Sequence, residues 1–301
     1  MNETKNNSKV NKNALQKIIL FYKFIPIPDP ETTMHWQRNL AENLNLKGRI
    51  LISEHGINGT LGGGIEDLKA YTKEMNKHSL MKKITYKWSN GGRDNFPKLR
   101  VKVKSEIVAF GAPDEITIDK NGVTNGGVHL KPEQVNELVE KYGDDVIFYD
   151  GRNQYEAKIG KFKNAIVPPI KTSKEFINDI ENGEISKYKN KPIVTYCTGG
   201  IRCEILSAMM KNRGYENVYQ VDGGIAKYGE KFGSKGLWEG EMFVFDGRMK
   251  VAFDEDTQQI GTCEICENKT SNVINSGDIR RHLHVICEDC VEQGKHIGIV
   301  Q

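Results

Sequence analysis

Residues 192–214 read PIVTYCTGGIRCEILSAMMKNRG, and this stretch decides the fold of the second half of the chain. Its first six residues form an apolar run, which is typical of a buried strand in a parallel sheet. The twelve residues from Cys203 to Gly214 have the composition of a helix that a glycine closes. Because strands and helices alternate over residues 131–232, the sequence predicts an open α/β domain there.

The turn between this strand and this helix, residues 197–202, collects groups that stabilise an anion. Gly199 and Gly200 allow backbone N–H groups to turn inward, and Arg202 adds a full positive charge. The amino terminus of the helix adds positive potential, and open α/β sheets bind ligands at this edge. We therefore expect the pKa of the Cys197 thiol to lie below the free value of about 8.5, which gives a nucleophilic thiolate.

A second interpretation of each cysteine in this stretch is purely structural. Cysteine is among the most frequently buried residue types, so Cys197 taken alone fits an inert core thiol beside a tight turn. The coincidence of cysteine, two glycines and Arg202 at one strand–helix junction favours the functional interpretation. Cys203 either resolves an oxidised or persulfidic Cys197 or packs in the first helical turn, and the sequence leaves both interpretations open.

The loop CTGGIR resembles the active-site loop of the rhodanese family, which begins with the catalytic cysteine and ends with a basic residue. The segment YDGRNQYEAKIGKFKNAIVP at 149–168 resembles the first signature of that family. With four residues between the cysteine and the arginine, the loop is one residue shorter than in the related phosphatases, which favours sulfur chemistry. The resemblance implies that Cys197 bears a persulfide in a pocket that Asp150, Arg152 and Glu156 brace. The loop residues it implies are Cys197, Thr198, Gly199, Gly200, Ile201, Arg202 and Cys203.

Four further cysteines form two CxxC pairs near the end of the chain, CEIC at 263–266 and CEDC at 287–290, with twenty residues between them. Each CxxC turn presents two thiolates at one point, and two such turns complete a tetrahedron, so the spacing predicts a structural zinc site. The expected ligands are Cys263, Cys266, Cys287 and Cys290. The alternative is a pair of redox-active dithiols. His282 and His284 within the intervening loop are candidate surface or nucleic-acid contacts, and either is an alternative ligand in place of one cysteine.

The amino-terminal part alternates strands and helices in the order β-α-β-β-α-β, which predicts a ferredoxin-like domain with a short additional strand. The segment PKLRVKVK at 97–104 alternates basic and apolar residues. Its cations lie about 7 Å apart on one strand face, which resembles the spacing of nucleic-acid phosphates. The candidate RNA contacts are Lys98, Arg100, Lys102 and Lys104. The alternative is an ordinary solvated sheet face.

Four segments taken in order resemble a narrower family, the rhodanese-domain tRNA uridine hydroxylases. They are ISEHGINGTLGG at 52–63, FPKLRVKVKSEIVAFG at 96–111, GVHLKPEQVNELV at 127–139 and YCTGGIRCE at 196–204. The resemblance implies an oxidoreductase that hydroxylates the wobble uridine of tRNA to 5-hydroxyuridine, with molecular oxygen as co-substrate and Cys197 as the catalytic residue. The rival hypotheses are a thiosulfate or persulfide sulfurtransferase and a non-catalytic RNA-binding scaffold.

The composition of the 301-residue chain is typical of a globular protein, with a formal net charge of +3. It contains no apolar stretch long enough to span a bilayer and no recognisable secretion signal, so we expect no membrane partner and a cytoplasmic location.

We expect a disordered tail at 1–13, a ferredoxin-like domain at 14–110, a linker or hairpin at 111–130, a rhodanese domain at 131–232 and a four-cysteine extension at 233–301.

Overall fold

The computed structural model describes residues 15–275 and 283–296. The expected disordered tail at 1–13 and the candidate contact His282 therefore lie outside the described residues. Within the described part, no helix is both long and apolar enough to cross a membrane.

The first domain is a five-stranded sheet with two helices on one face. Its strands follow the order β4-β1-β3-β2-β5; β5 is parallel to β2, and the other neighbours are antiparallel. This is the ferredoxin-like arrangement, and the additional short strand extends the sheet beside β2. In chain order the elements are β1 (Gln16–Phe24), α1 (Pro30–Asn43), β2 (Lys47–Ser53), β3 (Gly56–Gly64), α2 (Ile65–Lys77), β4 (Tyr86–Asn90) and β5 (Leu99–Val103).

Side-chain alternation gives this sheet two different faces. Ile19 and Phe21 of β1 are fully buried in the core that α1 and α2 cover. The alternate residues Leu20 and Tyr22 lie on the opposite face, and the second domain packs against them. The helix-free face of the sheet is therefore the one that meets the rest of the protein.

The second domain is built on a parallel four-stranded sheet with the order β8-β12-β11-β9. Its first strand, β8, and the hairpin β6–β7 both lie within the segment expected as a linker or hairpin. The elements are β6 (Ile118–Asp119), β7 (Gly122–Val123), β8 (Val128–Leu130), α3 (Pro132–Tyr142), β9 (Ile147–Asp150), α4 (Gln154–Ala157), β10 (Gly160–Phe162), α5 (Phe176–Asn182), β11 (Ile193–Tyr196), α6 (Ile201–Asn212), β12 (Val218–Val221) and α7 (Gly224–Phe232).

The carboxy-terminal part returns to the second domain before it forms a small module of its own. Its first strand pairs with β10, and its last two described strands pair antiparallel, with the second CxxC pair beside the first. The elements are β13 (Trp238–Gly240), β14 (Met242–Phe243), β15 (Lys250–Val251), β16 (Val273–Asn275), β17 (Leu283–Val285) and α8 (Glu288–Glu292). The predicted fold class, two mixed α/β domains and a four-cysteine module, is confirmed.

Candidate active site and metal centre

The cysteine loop connects the end of β11 to the start of α6, as the sequence predicts. Gly200 adopts φ +97°, a conformation that glycine tolerates and other residues avoid, and its N–H donates to Cys197 Sγ over 3.1 Å. From the other side, Ile225 and Ala226 of α7 donate their N–H groups to the carbonyls of Cys197 and Thr198, at 2.9 and 3.0 Å. The loop is therefore fixed between two helix amino termini.

The Cys197 thiol lies in a field that favours its ionised form. Burial alone would raise its pKa. The Cys203 thiol, the Arg202 guanidinium and the backbone N–H groups of Arg202 and Cys203 outweigh burial and lower the pKa of Cys197 to about 5. Burial and the neighbouring Cys197 charge raise the pKa of Cys203 instead. At neutral pH, Cys197 is therefore a thiolate and Cys203 is a neutral thiol.

Arg202 is held beside the thiol by a buried carboxylate. Its two terminal nitrogens donate to Glu156 Oε1 and Oε2 over 2.6 and 2.9 Å, and one of them also reaches Thr198 Oγ1 at 3.3 Å. Glu156 is completely buried. Since a bidentate pair fixes both the position and the plane of the guanidinium, the charge near Cys197 is preorganised.

A second buried ion pair supports the first. Arg152 is completely buried; its Nε and Nη2 donate to the two carboxylate oxygens of Asp150 at 2.9 and 2.6 Å. Its terminal nitrogens also donate to the carbonyls of Glu156 and Gly160, at 3.3 and 2.7 Å, and its guanidinium stacks over Trp238. The structure thus brings Asp150, Arg152 and Glu156 together behind the cysteine loop.

The first domain covers one side of this loop. The Leu20 side chain contacts Gly199 so closely that an added Cβ would come within 2.6 Å of it. The Tyr22 hydroxyl lies against Gly200 and donates to Glu204 of α6 over 3.2 Å. Cys197 itself exposes only 1% of its surface, whereas Thr198 and Ile201 are partly exposed. The loop is therefore completed by residues of another domain.

Sequence reasoning missed several residues at this junction because they are distant along the chain. Glu204 Oε2 lies 3.3 Å from His129 Nε2, and Asp222 Oδ1 lies 3.8 Å from His129 Nδ1. The nearby carboxylates of Asp222 and Glu204 raise the pKa of His129 to about 10, so the ring is charged at neutral pH. On the opposite side of the loop, the exposed Phe245 ring lies 5.7 Å from the Arg202 guanidinium. No local spacing signals these contacts.

The basic segment lies on the outer edge of the first sheet. Lys98, Arg100, Lys102 and Lys104 are all exposed, while Leu99 and Val103 pack on the helix-covered core. The strand register places one row of side chains on the helix-free face, and directly paired residues share a face. That row runs across the five strands through Arg100, Arg49, Thr60, Leu20 and Lys87.

This row connects the predicted basic strand to the cysteine loop. Leu20, which covers Gly199, is three strands away from Arg100, or about 14 Å at the usual strand spacing. Lys87 follows on the next strand. Because Gly199 packs on Leu20, the open part of this row ends where the second domain meets the sheet.

The four carboxy-terminal cysteines converge as predicted. Their sulfur atoms all lie within 4.8 Å of one another, and Cys266 Sγ is 3.5 Å from Cys287 Sγ. A zinc ion with Zn–S bonds of about 2.3 Å needs sulfurs about 3.8 Å apart, so the donor set fits a tetrahedral metal site. His284 pairs with Glu264 at 2.7 Å, outside the four-sulfur group. The four cysteines form a group able to hold a metal ion.

Three family models together cover most of the chain. The UPF0176 acylphosphatase like domain matches residues 16–107, the rhodanese-like domain matches 131–231 and the rhodanase C-terminal matches 239–300. A tRNA uridine(34) hydroxylase of Corynebacterium glutamicum (strain R) is 58% identical over 280 residues, which cover 92% of this chain and 89% of that protein. The chain belongs to the tRNA uridine(34) hydroxylase family. This confirms the resemblance that the four sequence segments indicated.

A second member of the family is also similar over nearly the whole of this chain. A tRNA uridine(34) hydroxylase of Rhodococcus jostii (strain RHA1) is 51% identical over 280 residues, with 93% of this chain and 98% of that protein covered. Among solved structures, a crystal structure of a single-domain sulfurtransferase from Saccharomyces cerevisiae is 22% identical with a TM-score of 0.29. The match covers 34% of this chain and 89% of the chain in that crystal structure.

Proposed function

We propose that this protein hydroxylates uridine 34 of tRNA at carbon 5, with molecular oxygen as co-substrate and Cys197 as the catalytic residue. The names of the close relatives support the substrate and the reaction class. The observation that carries the catalytic assignment is the Cys197 thiolate, which Arg202 and inward-facing N–H groups stabilise. Insertion of one oxygen atom into a C–H bond, with reduction of the other to water, consumes two electrons and two protons.

The buried ion pairs have a positioning role in this proposal. Arg202 keeps a positive charge beside the sulfur, and Glu156 holds the guanidinium in place. Asp150 and Arg152 anchor the segment that carries Glu156, since Arg152 Nη1 donates to the Glu156 carbonyl. Such preorganised charges stabilise an anion without reorganisation during the reaction.

The basic residues on the helix-free face of the first domain provide a surface for the RNA. Arg49 and Arg100 are exposed on the helix-free face, and the same face reaches the cysteine loop at Leu20. Cations on a sheet face bind the phosphate backbone irrespective of sequence, and this interaction weakens with salt. We therefore assign Lys98, Arg100, Lys102 and Lys104 to the approach of the tRNA rather than to base recognition.

Two further parts of the proposal concern metal and location. The four-sulfur group fits zinc better than a pair of redox disulfides, because all four sulfurs converge on one point. Cys263, Cys266, Cys287 and Cys290 would then hold a structural ion that supplies no chemistry to the reaction. A tRNA substrate is consistent with the expected cytoplasmic location.

One observation favours a second candidate function, the transfer of sulfane sulfur. The loop keeps four residues between Cys197 and Arg202, and the Gly200 N–H is directed at the sulfur, as a persulfide carrier requires. A thiosulfate or persulfide sulfurtransferase would, however, have no use for the basic first domain. The retained thiol and its lowered pKa argue against the RNA-binding scaffold.

The decisive experiment removes the gene and measures modified tRNA nucleosides by mass spectrometry. Complementation with the wild-type protein restores 5-hydroxyuridine derivatives, and complementation with Cys197→Ser does not. A Cys203→Ser complement shows whether the second thiol is required. Unchanged nucleosides together with lost thiosulfate:cyanide activity would assign the sulfurtransferase function, and full restoration by Cys197→Ser would assign the scaffold.

A further inference from the structure

A cleft of about 320 Å³ lies between the two domains, beside the cysteine loop. Its walls are β1 and the start of β4 from the first domain, and β8, α6 and the start of α7 from the second. Gly223 lines the cleft, and the next residue, Gly224, packs directly on the carbonyl of Cys197. The cleft and the backbone of the cysteine loop are therefore separated by a single backbone segment.

The charges that line this cleft are predominantly positive. Five cationic side chains face two carboxylates. Glu204 and Asp222 are both engaged by the charged His129 ring, and Glu204 also accepts from Tyr22. The carboxylates are thus compensated locally. Lys23 already donates to the carbonyls of Leu80 and Lys82, and Lys227 lies 3.5 Å from Glu230. Lys83 and Lys87 are left to attract an anion. The five cations are Lys23, Lys83, Lys87, His129 and Lys227.

Lys83 is exposed, whereas Lys87 is partly buried. Its ammonium lies 4.9 Å from the centre of the Tyr22 ring, and its side chain contacts Gly223. Within the described part of the chain, no acceptor is hydrogen-bonded to this ammonium. Burial lowers the pKa of Lys87, and the negative charges of Cys197 and Asp222 oppose that shift. A desolvated cation without an acceptor is a favourable contact for an incoming anion.

The position of Lys87 identifies the kind of anion. Lys87 lies in the cleft beside the cysteine loop, where the proposed function places the reacting nucleotide, so a backbone phosphate of the RNA is the anion nearest to it. Lysine binds phosphate as a point charge. We propose that the cleft binds one backbone phosphate next to the reacting nucleotide, with Lys87 as the positioning residue. This inference rests on the proposed function.

The test is a binding experiment with an anticodon stem–loop RNA and the full-length protein. One phosphate at a time, on either side of the target uridine, is replaced by an uncharged methylphosphonate. We expect Lys87→Gln to weaken binding several-fold. We also expect it to reduce the slope of log affinity against log salt concentration (the salt slope) by about one. We also expect one methylphosphonate to weaken binding to the wild-type protein but not to the Lys87→Gln protein. Lys87→Arg, which keeps the charge, should bind nearly as the wild type does.

Lys69→Gln is the matched control, because Lys69 is exposed on α2 and paired with Glu66. It should leave affinity and salt slope unchanged. Equal losses from every methylphosphonate in both proteins, or an unchanged affinity of Lys87→Gln, would overturn the inference. A wild-type protein that binds no tRNA would refute the proposed function instead, so the two failures are distinguishable.

Discussion

Arg202 and Glu156 form a bidentate ion pair, with nitrogen–oxygen distances of 2.6 and 2.9 Å. The pair joins the first turn of α6 to the short helix α4, and Glu156 is completely buried. Because Arg202 is the full positive charge next to Cys197, the carboxylate that fixes Arg202 also controls the state of the thiol.

Glu156→Gln should therefore be strongly destabilising. The substitution leaves a buried guanidinium without its counter-charge, and removal of one partner from such a pair costs about 3–5 kcal/mol. Urea unfolding followed by circular dichroism measures the change in the free energy of unfolding. Glu181→Gln is the control, because Glu181 is half-exposed and Arg213 keeps its second partner, Glu115. If Glu181→Gln lowers the free energy of unfolding as much as Glu156→Gln does, the prediction is contradicted.

The Cys197 thiol should titrate well below ordinary cysteine. We expect the difference in thiolate absorbance between the wild type and Cys197→Ser to have its midpoint near pH 5. The thiolate is present above this midpoint and is lost as the pH falls through it. Since the pKa of a free thiol is about 8.5, ionisation stabilises the folded protein fully above that pH, and this stabilisation disappears near pH 5.

Arg202→Met should raise this midpoint, because it removes the nearest full positive charge. Cys203→Ser tests the contribution of the neighbouring thiol separately. A midpoint that stays near that of free cysteine in the wild-type protein would exclude the thiolate on which the proposed function depends.

The basic strand should bind RNA through charge alone. Arg100→Gln combined with Lys102→Gln is expected to weaken tRNA binding and to reduce the slope of affinity against salt by about two, one for each phosphate contact. Fluorescence anisotropy at several salt concentrations measures both quantities. The control, Lys69→Gln combined with Lys73→Gln, removes the same charge from α2 on the other side of the sheet. The assignment fails if the two double variants lose affinity equally.

The purified protein should contain one zinc ion per chain. We expect a Cys287→Ala and Cys290→Ala double variant to lose the metal, whereas Cys203→Ser keeps it, because Cys203 lies outside the four-sulfur group. Elemental analysis measures the content, and chelation should lower the stability of the carboxy-terminal module. A metal-free protein in which two disulfides join these cysteines would support the redox alternative.

The cysteine loop, the basic strand and the CxxC pairs were predictable because their chemistry depends on spacing within a short segment. Helix α7 was not predicted. It begins at Gly224 and is preceded by Gly223, both with positive φ, and glycine pairs normally indicate a loop. Likewise, β8 lies in a Gly- and Asn-rich segment, and only its pairing with β12 makes it a strand of the sheet. In both cases tertiary contacts override the local preference.

The sequence by itself determined which residues can ionise, bind metal or carry cationic charge, since these properties belong to the side chains and their local spacing. The tertiary structure decided what surrounds Cys197. Tyr22 and Leu20 reach the loop only because two domains pack together, and His129 reaches Glu204 only because β8 joins the second sheet. These contacts join residues up to 182 positions apart in the chain, a separation over which no local pattern specifies which side chains will meet.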